Sequence, residues 1–169
     1  ASDADDATTV FHVPFIGGSP GMGQIGALGV VGASMADAGD FVRTTLPMPG
    51  HWDLDNDLFF RVLWSDNAVN TAQTIAWSVR WKTYQFGQVV VAGVGGGGSD
   101  TIAITADPNS NVSNALDASP WGKLSGGTWS DDVGFLTLDV ECTTDASGLD
   151  PVFVGLEVAY IPKLTSGTQ

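Results

Sequence analysis

The sequence predicts an all-β fold: an antiparallel two-sheet jelly-roll sandwich of about eight strands, with an extended glycine-rich N-terminal arm. Three observations predict it. Apolar and polar residues alternate over long runs, the period of two that an extended chain shows when one face is buried and the other is wet. Turn signals divide these runs at close spacing: Pro49-Gly50, Asp66-Asn67, Gly95 to Gly98 and Asp107-Pro108-Asn109. No apolar stripe of helical period lasts three turns, and residues 69–73 could form at most a short turn.

The elements follow in chain order. Residues 1–39 contain no lysine or arginine and carry glycine at 17, 18, 21, 23, 26, 29, 32 and 39, so the segment can bury little and loses much backbone entropy if it orders alone. It reads as an arm. Its one clear strand signal runs from Thr9 to Ile16, and Val10, Phe11, Val13, Phe15 and Ile16 are the apolar residues expected to anchor it on another chain of the same assembly. Strands are expected over 41–47, 58–65, 74–84, 88–94, 101–106, 115–119, 135–143 and 152–161. Four of them write their faces plainly. Leu58, Phe60, Val62 and Trp64 share one side, as do Ile75, Trp77, Val79 and Trp81; Leu136, Leu138, Val140 and Cys142 form a third set, and Val152, Val154, Leu156, Val158 and Tyr160 a fourth. The organisation is an arm over 1–39, a sandwich over 40–162 and a short tail over 163–169.

Composition limits what such a domain does. The 169 residues suit one core. Six basic against nineteen acidic residues give a formal charge of −13, a field that repels nucleic acid and anionic membrane surfaces, so neither is an expected partner. The single cysteine, Cys142, cannot form an internal disulfide and sits in phase with apolar neighbours, which reads as a small buried hydrophobe. The chain as given opens on no basic region followed by an apolar core, and 26–38 is too short and too rich in glycine to span a bilayer; a soluble protein is expected.

Several motifs suggest chemistry, and each has a plainer explanation. Gly21-Met22-Gly23-Gln24-Ile25-Gly26 fits the dinucleotide-binding pattern, but the helix it would open carries Gly29 and Gly32 and no second β-α-β unit follows. Gly93 to Gly98 fits the same loose pattern and reads as a hairpin loop. Asp53, Asp55 and Asp57 place three carboxylates at alternate positions, a set that can wrap a hard cation. Leu58 and Trp64 stand where a calcium-binding EF-hand needs glycine and glutamate, so a solvated loop is the plainer reading of all three. The histidines, His12 and His51, fall on the arm and in a turn, and Asp139 and Glu141 fall on the polar face of their strand. No catalytic residues and no cofactor are expected.

Six tryptophans remain. Trp64, Trp77 and Trp81 are in phase with the core. Trp121 and Trp129 instead flank a Gly- and Ser-containing loop, where an aromatic ring serves local packing, a subunit contact or stacking on a sugar.

Four phrases, Phe59-Phe60-Arg61-Val62-Leu63-Trp64-Ser65, Ile75-Ala76-Trp77-Ser78-Val79-Arg80-Trp81, Phe135-Leu136-Thr137-Leu138-Asp139-Val140-Glu141 and Val154-Gly155-Leu156-Glu157-Val158-Ala159-Tyr160-Ile161-Pro162, together resemble small jelly-roll structural proteins of tailed bacteriophages. The resemblance covers residues 40–162 and rests on strand rhythm and closing phrases. It implies a non-enzymatic virion protein, foremost a capsid decoration or cement protein on the outer capsid surface. Its implied partners are the major capsid protein and neighbouring copies of itself, as a homo-trimer. The competing expectation is a carbohydrate- or receptor-binding jelly roll of the fibre, knob or lectin-like kind, with Asp53 to Asp57 holding calcium.

Overall fold

The computed structural model describes residues 9–13, 17–18, 22–24, 31–35, 39–47, 55–65, 75–87, 99–106, 116–124, 133–143 and 151–162. All regular structure among them is β: β1 (Thr9–Val13), β2 (Gly17–Gly18), β3 (Met22–Gln24), β4 (Val31–Ser34), β5 (Phe41–Pro47), β6 (Leu58–Ser65), β7 (Ile75–Gln85), β8 (Ser99–Ala106), β9 (Leu116–Ala118), β10 (Gly122–Leu124), β11 (Val133–Cys142) and β12 (Val152–Tyr160). The expected strand over 88–94 lies outside the described residues.

Two antiparallel sheets form. In the first, β6 and β12 pair at the centre; β9 and β10 line the free edge of β6, while β1 and β4 line that of β12, with β3 beyond β4. The second runs β2-β5-β11-β7-β8. From β4 onward the chain crosses repeatedly between sheets, so that β4-β12-β6-β9/β10 lies against β5-β11-β7-β8. That is the strand order of a jelly roll, the sandwich the sequence rhythm predicts.

The described pieces of the glycine-rich segment are short strands that pair along the sandwich's own edges. β1 runs antiparallel to β12 from Thr9 opposite Tyr160 to Val13 opposite Leu156, and β2 pairs with β5. Unpaired edges of β12 and β5 offer rows of backbone donors and acceptors that this segment satisfies within the same chain. Glycine has a packing reason in β4, because a Cβ on Gly32 would fall on the carbonyl oxygen of Phe153.

The core lies between β6 and β12 on one side and β7 and β11 on the other. Phe60, Val62, Trp64, Ile75, Trp77, Val79, Leu136, Leu138, Val140, Leu156 and Val158 are all buried there, as their parity predicts. Trp77 is its aromatic centre, with ring centroids 6.1 Å from Trp64 and 6.4 Å from Phe153. The indole N–H groups of Trp64 and Trp77 are buried without a hydrogen-bond partner, so these two rings are held by apolar contact alone.

One face assignment is corrected. Val154 was expected inside, yet it is only half-buried, and Phe153 takes the core position. The cause is a β-bulge: Phe153 pairs with Trp64 and Gly155 with Leu63, leaving Val154 as the extra residue that shifts the parity of everything before it. The strand expected over 115–119 is β9; a second correction concerns the loop expected between Trp121 and Trp129, which opens as strand β10. The strand stops at Ala118, Pro120 interrupts it, and β10 resumes along β6. Ser119 bridges the break: its N–H donates to the Val62 carbonyl (2.9 Å), and its hydroxyl accepts from the Val62 N–H (2.8 Å) and donates to the Pro120 carbonyl (2.9 Å).

Register also sorts the loop ends. Pro47, Gln85, Ser99 and Val133 mark one end of the second sheet, its loop end, and Leu58 and Leu124 lie opposite each other at one end of the first.

Candidate functional site

The outer face of the second sheet is built in cross-strand rows, because directly opposite residues on β5, β11 and β7 point to the same side. Arg43, Asp139 and Arg80 form the central row, and Phe41, Glu141 and Ser78 the row below it. Asp139 is only 2% exposed, and its two oxygens accept bonds from Arg43 Nε (2.5 Å) and Nη2 (2.6 Å), a bidentate pair. Arg80 reaches Asp139 at 3.4 Å and Glu141 at 3.0 Å. The Phe41 ring lies beneath both guanidinium groups, 5.2 Å from Arg43 and 6.0 Å from Arg80. The hydrogen bond to Asp139 holds the Arg43 guanidinium above its usual pKa, so it stays charged wherever the sheet is folded. These charges lock strands together across the outer face.

Towards the loop end the described residues of the same face carry no carboxylate, and their one cation, Lys82, stands opposite Thr137. Thr45 and Thr137 share a hydroxyl–hydroxyl hydrogen bond of 2.9 Å, and Phe135 follows between exposed Pro47 and Tyr84. Lys82 is buried, with its ammonium 5.6 Å from the Tyr84 ring. Beyond the row stands Phe86, 78% exposed, in edge-to-face contact with Phe135 at 5.3 Å. Its seat is Gly134, the extra residue of a bulge between Val133 and Phe135; a Cβ there would come within 2.9 Å of the Phe86 ring. Gly87 follows at φ +80°, a left-handed turn that glycine adopts without strain.

The first sheet carries a smaller charged cluster. Arg61 bonds Glu157 across the strands and stacks on the Trp121 ring at 4.7 Å, while Lys123 pairs with Asp57 at 2.9 Å. Trp121, an expected interaction residue, is thus half-buried against its own chain's arginine. Asp57 is buried against a lysine and Asp55 is exposed; Asp53 lies outside the described residues. Among the described residues no three His, Cys, Asp or Glu side chains gather as metal ligands. Of the expected anchor residues, Val10, Phe11 and Val13 lie in β1 opposite Ala159, Val158 and Leu156. Phe15, Ile16 and Trp129 lie outside the described residues. His12 stands in register opposite Glu157, and Cys142 is buried and forms no disulfide.

Sequence reasoning missed Phe86 and Phe135 as surface features. The signal was present: Phe86 is in phase with Ser78, Arg80 and Lys82, and Phe135 with Thr137, Asp139 and Glu141, so each ring falls on the polar parity of its strand.

No model of a known protein family matches the chain, and no curated protein does. Among solved structures, it is similar to the CBM36-1 domain of a multidomain xylanase from the hindgut metagenome of Trinervitermes trinervoides. The TM-score is 0.50 at 15% identity, over 89% of this chain and 94% of that one. At that identity the likeness is one of fold.

Proposed function

We propose that this chain is a non-enzymatic recognition module, a jelly roll whose surface binds a carbohydrate or a receptor presenting one. The observation that carries the reading is the division of its outer faces. Charged side chains such as Asp139, Arg43, Arg80, Glu157 and Arg61 are committed to cross-strand pairs, whereas aromatic rings stand at the surface beside neutral hydroxyls. Stacking and hydroxyl hydrogen bonding are the means by which a protein binds sugar without transforming it. Likeness to a domain named as a carbohydrate-binding module supports the same reading. The test is titration of the purified chain with neutral oligosaccharides, followed by analysis of the sugar. Binding with unchanged sugar is the expected outcome; cleaved product overturns it.

A second reading is favoured by the strand phrases that resemble small phage virion proteins. On that reading the chain is a capsid decoration protein on the outer capsid surface, held as a trimer against the major capsid protein and neighbouring copies of itself. Weak contacts repeated over a lattice supply its affinity. Co-sedimentation with capsids at lattice stoichiometry is expected of a cement protein. Sugar binding by the free chain with no particle association is expected of the recognition module alone.

A further inference from the structure

From the loop end of the second sheet's outer face, where the one cation, Lys82, is buried beside Tyr84, we infer that Phe86, with Phe135, Thr45 and Thr137, forms a stacking platform for a neutral saccharide chain; this rests on the recognition reading above and gives it a site. The first argument is preorganisation. A solvent-exposed phenylalanine ordinarily has freedom to lose on binding, but Phe86 is fixed by three local devices: the bulge at Gly134, the edge-to-face contact with Phe135 at 5.3 Å, and the left-handed turn at Gly87. Each keeps the ring in place, and none covers it, since it remains 78% exposed. Replacing Gly134 by any other residue would push Phe86 off its seat, so the glycine and the ring work as a pair.

The second argument is what surrounds the ring. Phe135 and Thr137 are two residues apart on β11, a separation of roughly 7 Å along a strand. The Thr45–Thr137 hydroxyl pair therefore lies about one sugar ring away from the aromatic pair, in the next cross-strand row. Pro47 adds a further exposed apolar surface opposite Phe135. A ring for the C–H face of a sugar, with hydroxyls set to one side to exchange hydrogen bonds with its edge, is complementary to an uncharged saccharide.

Charge selects among occupants. The chain carries a formal charge of −13, so an acidic glycan or a second copy of the chain would approach against repulsion, whereas a neutral saccharide meets none. The cations of this face do not offset that for an anion. Arg43 and Arg80 are committed to Asp139 and Glu141, and Lys82 is buried over Tyr84.

The test titrates the full chain with neutral hexa-oligosaccharides of xylose, glucose, mannose and galactose by calorimetry. Phe86→Ala, Thr45→Val and Gly134→Ala are then compared on whichever sugar binds, with thermal unfolding and sedimentation run on each variant. The expected result is binding by the parent, about tenfold weaker for Phe86→Ala, as when an aromatic hot spot is truncated. Thr45→Val should lower affinity about threefold through one lost hydrogen bond. Both should melt like the parent, while Gly134→Ala weakens binding by displacing the ring. Equal binding by Phe86→Ala and parent overturns the platform and leaves the recognition reading standing. No binding by any sugar overturns both. A change of Phe86→Ala from oligomer to monomer also overturns it, because the patch is then a contact between copies.

Discussion

The inner and outer faces of the second sheet are made by the same strands, yet they hold the molecule together in different ways. Inside, Trp77, Val79, Leu138 and Val140 meet the first sheet and are held by shape and exclusion of water. Outside, one residue along in each strand, Arg80 and Asp139 meet their neighbours by charge, and Phe135 meets Phe86 at the surface. The inner face is closed by packing within the chain, whereas the outer face passes from an ionic row at Asp139 to hydroxyls and rings at Thr137 and Phe135, and presents Phe86 to solvent.

Core truncation gives the largest expected effect. Trp77→Ala should cost about 3–5 kcal/mol, because the ring is fully buried between Trp64 and Phe153. Urea unfolding followed by circular dichroism reads it. A variant that unfolds at the parent's midpoint would put Trp77 on the wrong face.

The bulge in β12 allows a sharper comparison of faces. Phe153→Ala should cost about 3–4 kcal/mol, while Val154→Thr, one residue away, should stay within about 0.5 kcal/mol. Simple alternation predicts the reverse order, so this pair of melts decides whether the register shift exists in solution.

The ionic row comes next. Asp139→Asn should lose about 2 kcal/mol, since it removes the charge that accepts two arginine hydrogen bonds on a buried carboxyl. Arg43→Ala, whose side chain is half exposed, should lose only about 0.5–1 kcal/mol. Losses of equal size would mean that the buried carboxylate is not the keystone of the row.

Much of this architecture was legible in the sequence because burial on one face of a strand imposes a period of two. β6, β7 and, from Phe135 onward, β11 carry that period, and their core positions followed from it. What the sequence did not disclose arises where geometry breaks the period. The bulges at Val154 and Gly134 insert one residue each, and a one-residue slip exchanges faces. Pairing of β1 with β12 was likewise hidden, since edge pairing is made by backbone groups common to every residue. The candidate site was half legible. The expected ring Trp121 is stacked beneath Arg61, and the exposed ring, Phe86, depends on a glycine seat forty-eight positions along the chain.

On the proposed reading this jelly roll binds sugar without chemistry through the loop end of its outer face. An NMR titration of isotope-labelled protein with a neutral oligosaccharide tests it most directly, because one experiment reports the contact surface and the fate of the ligand. Saturable shifts centred on Phe86, Phe135 and Thr137, quiet signals from Arg80 and Asp139, and intact sugar throughout are the expected result. Shifts absent across the sheet, or new reducing-end signals from cleaved sugar, would contradict it.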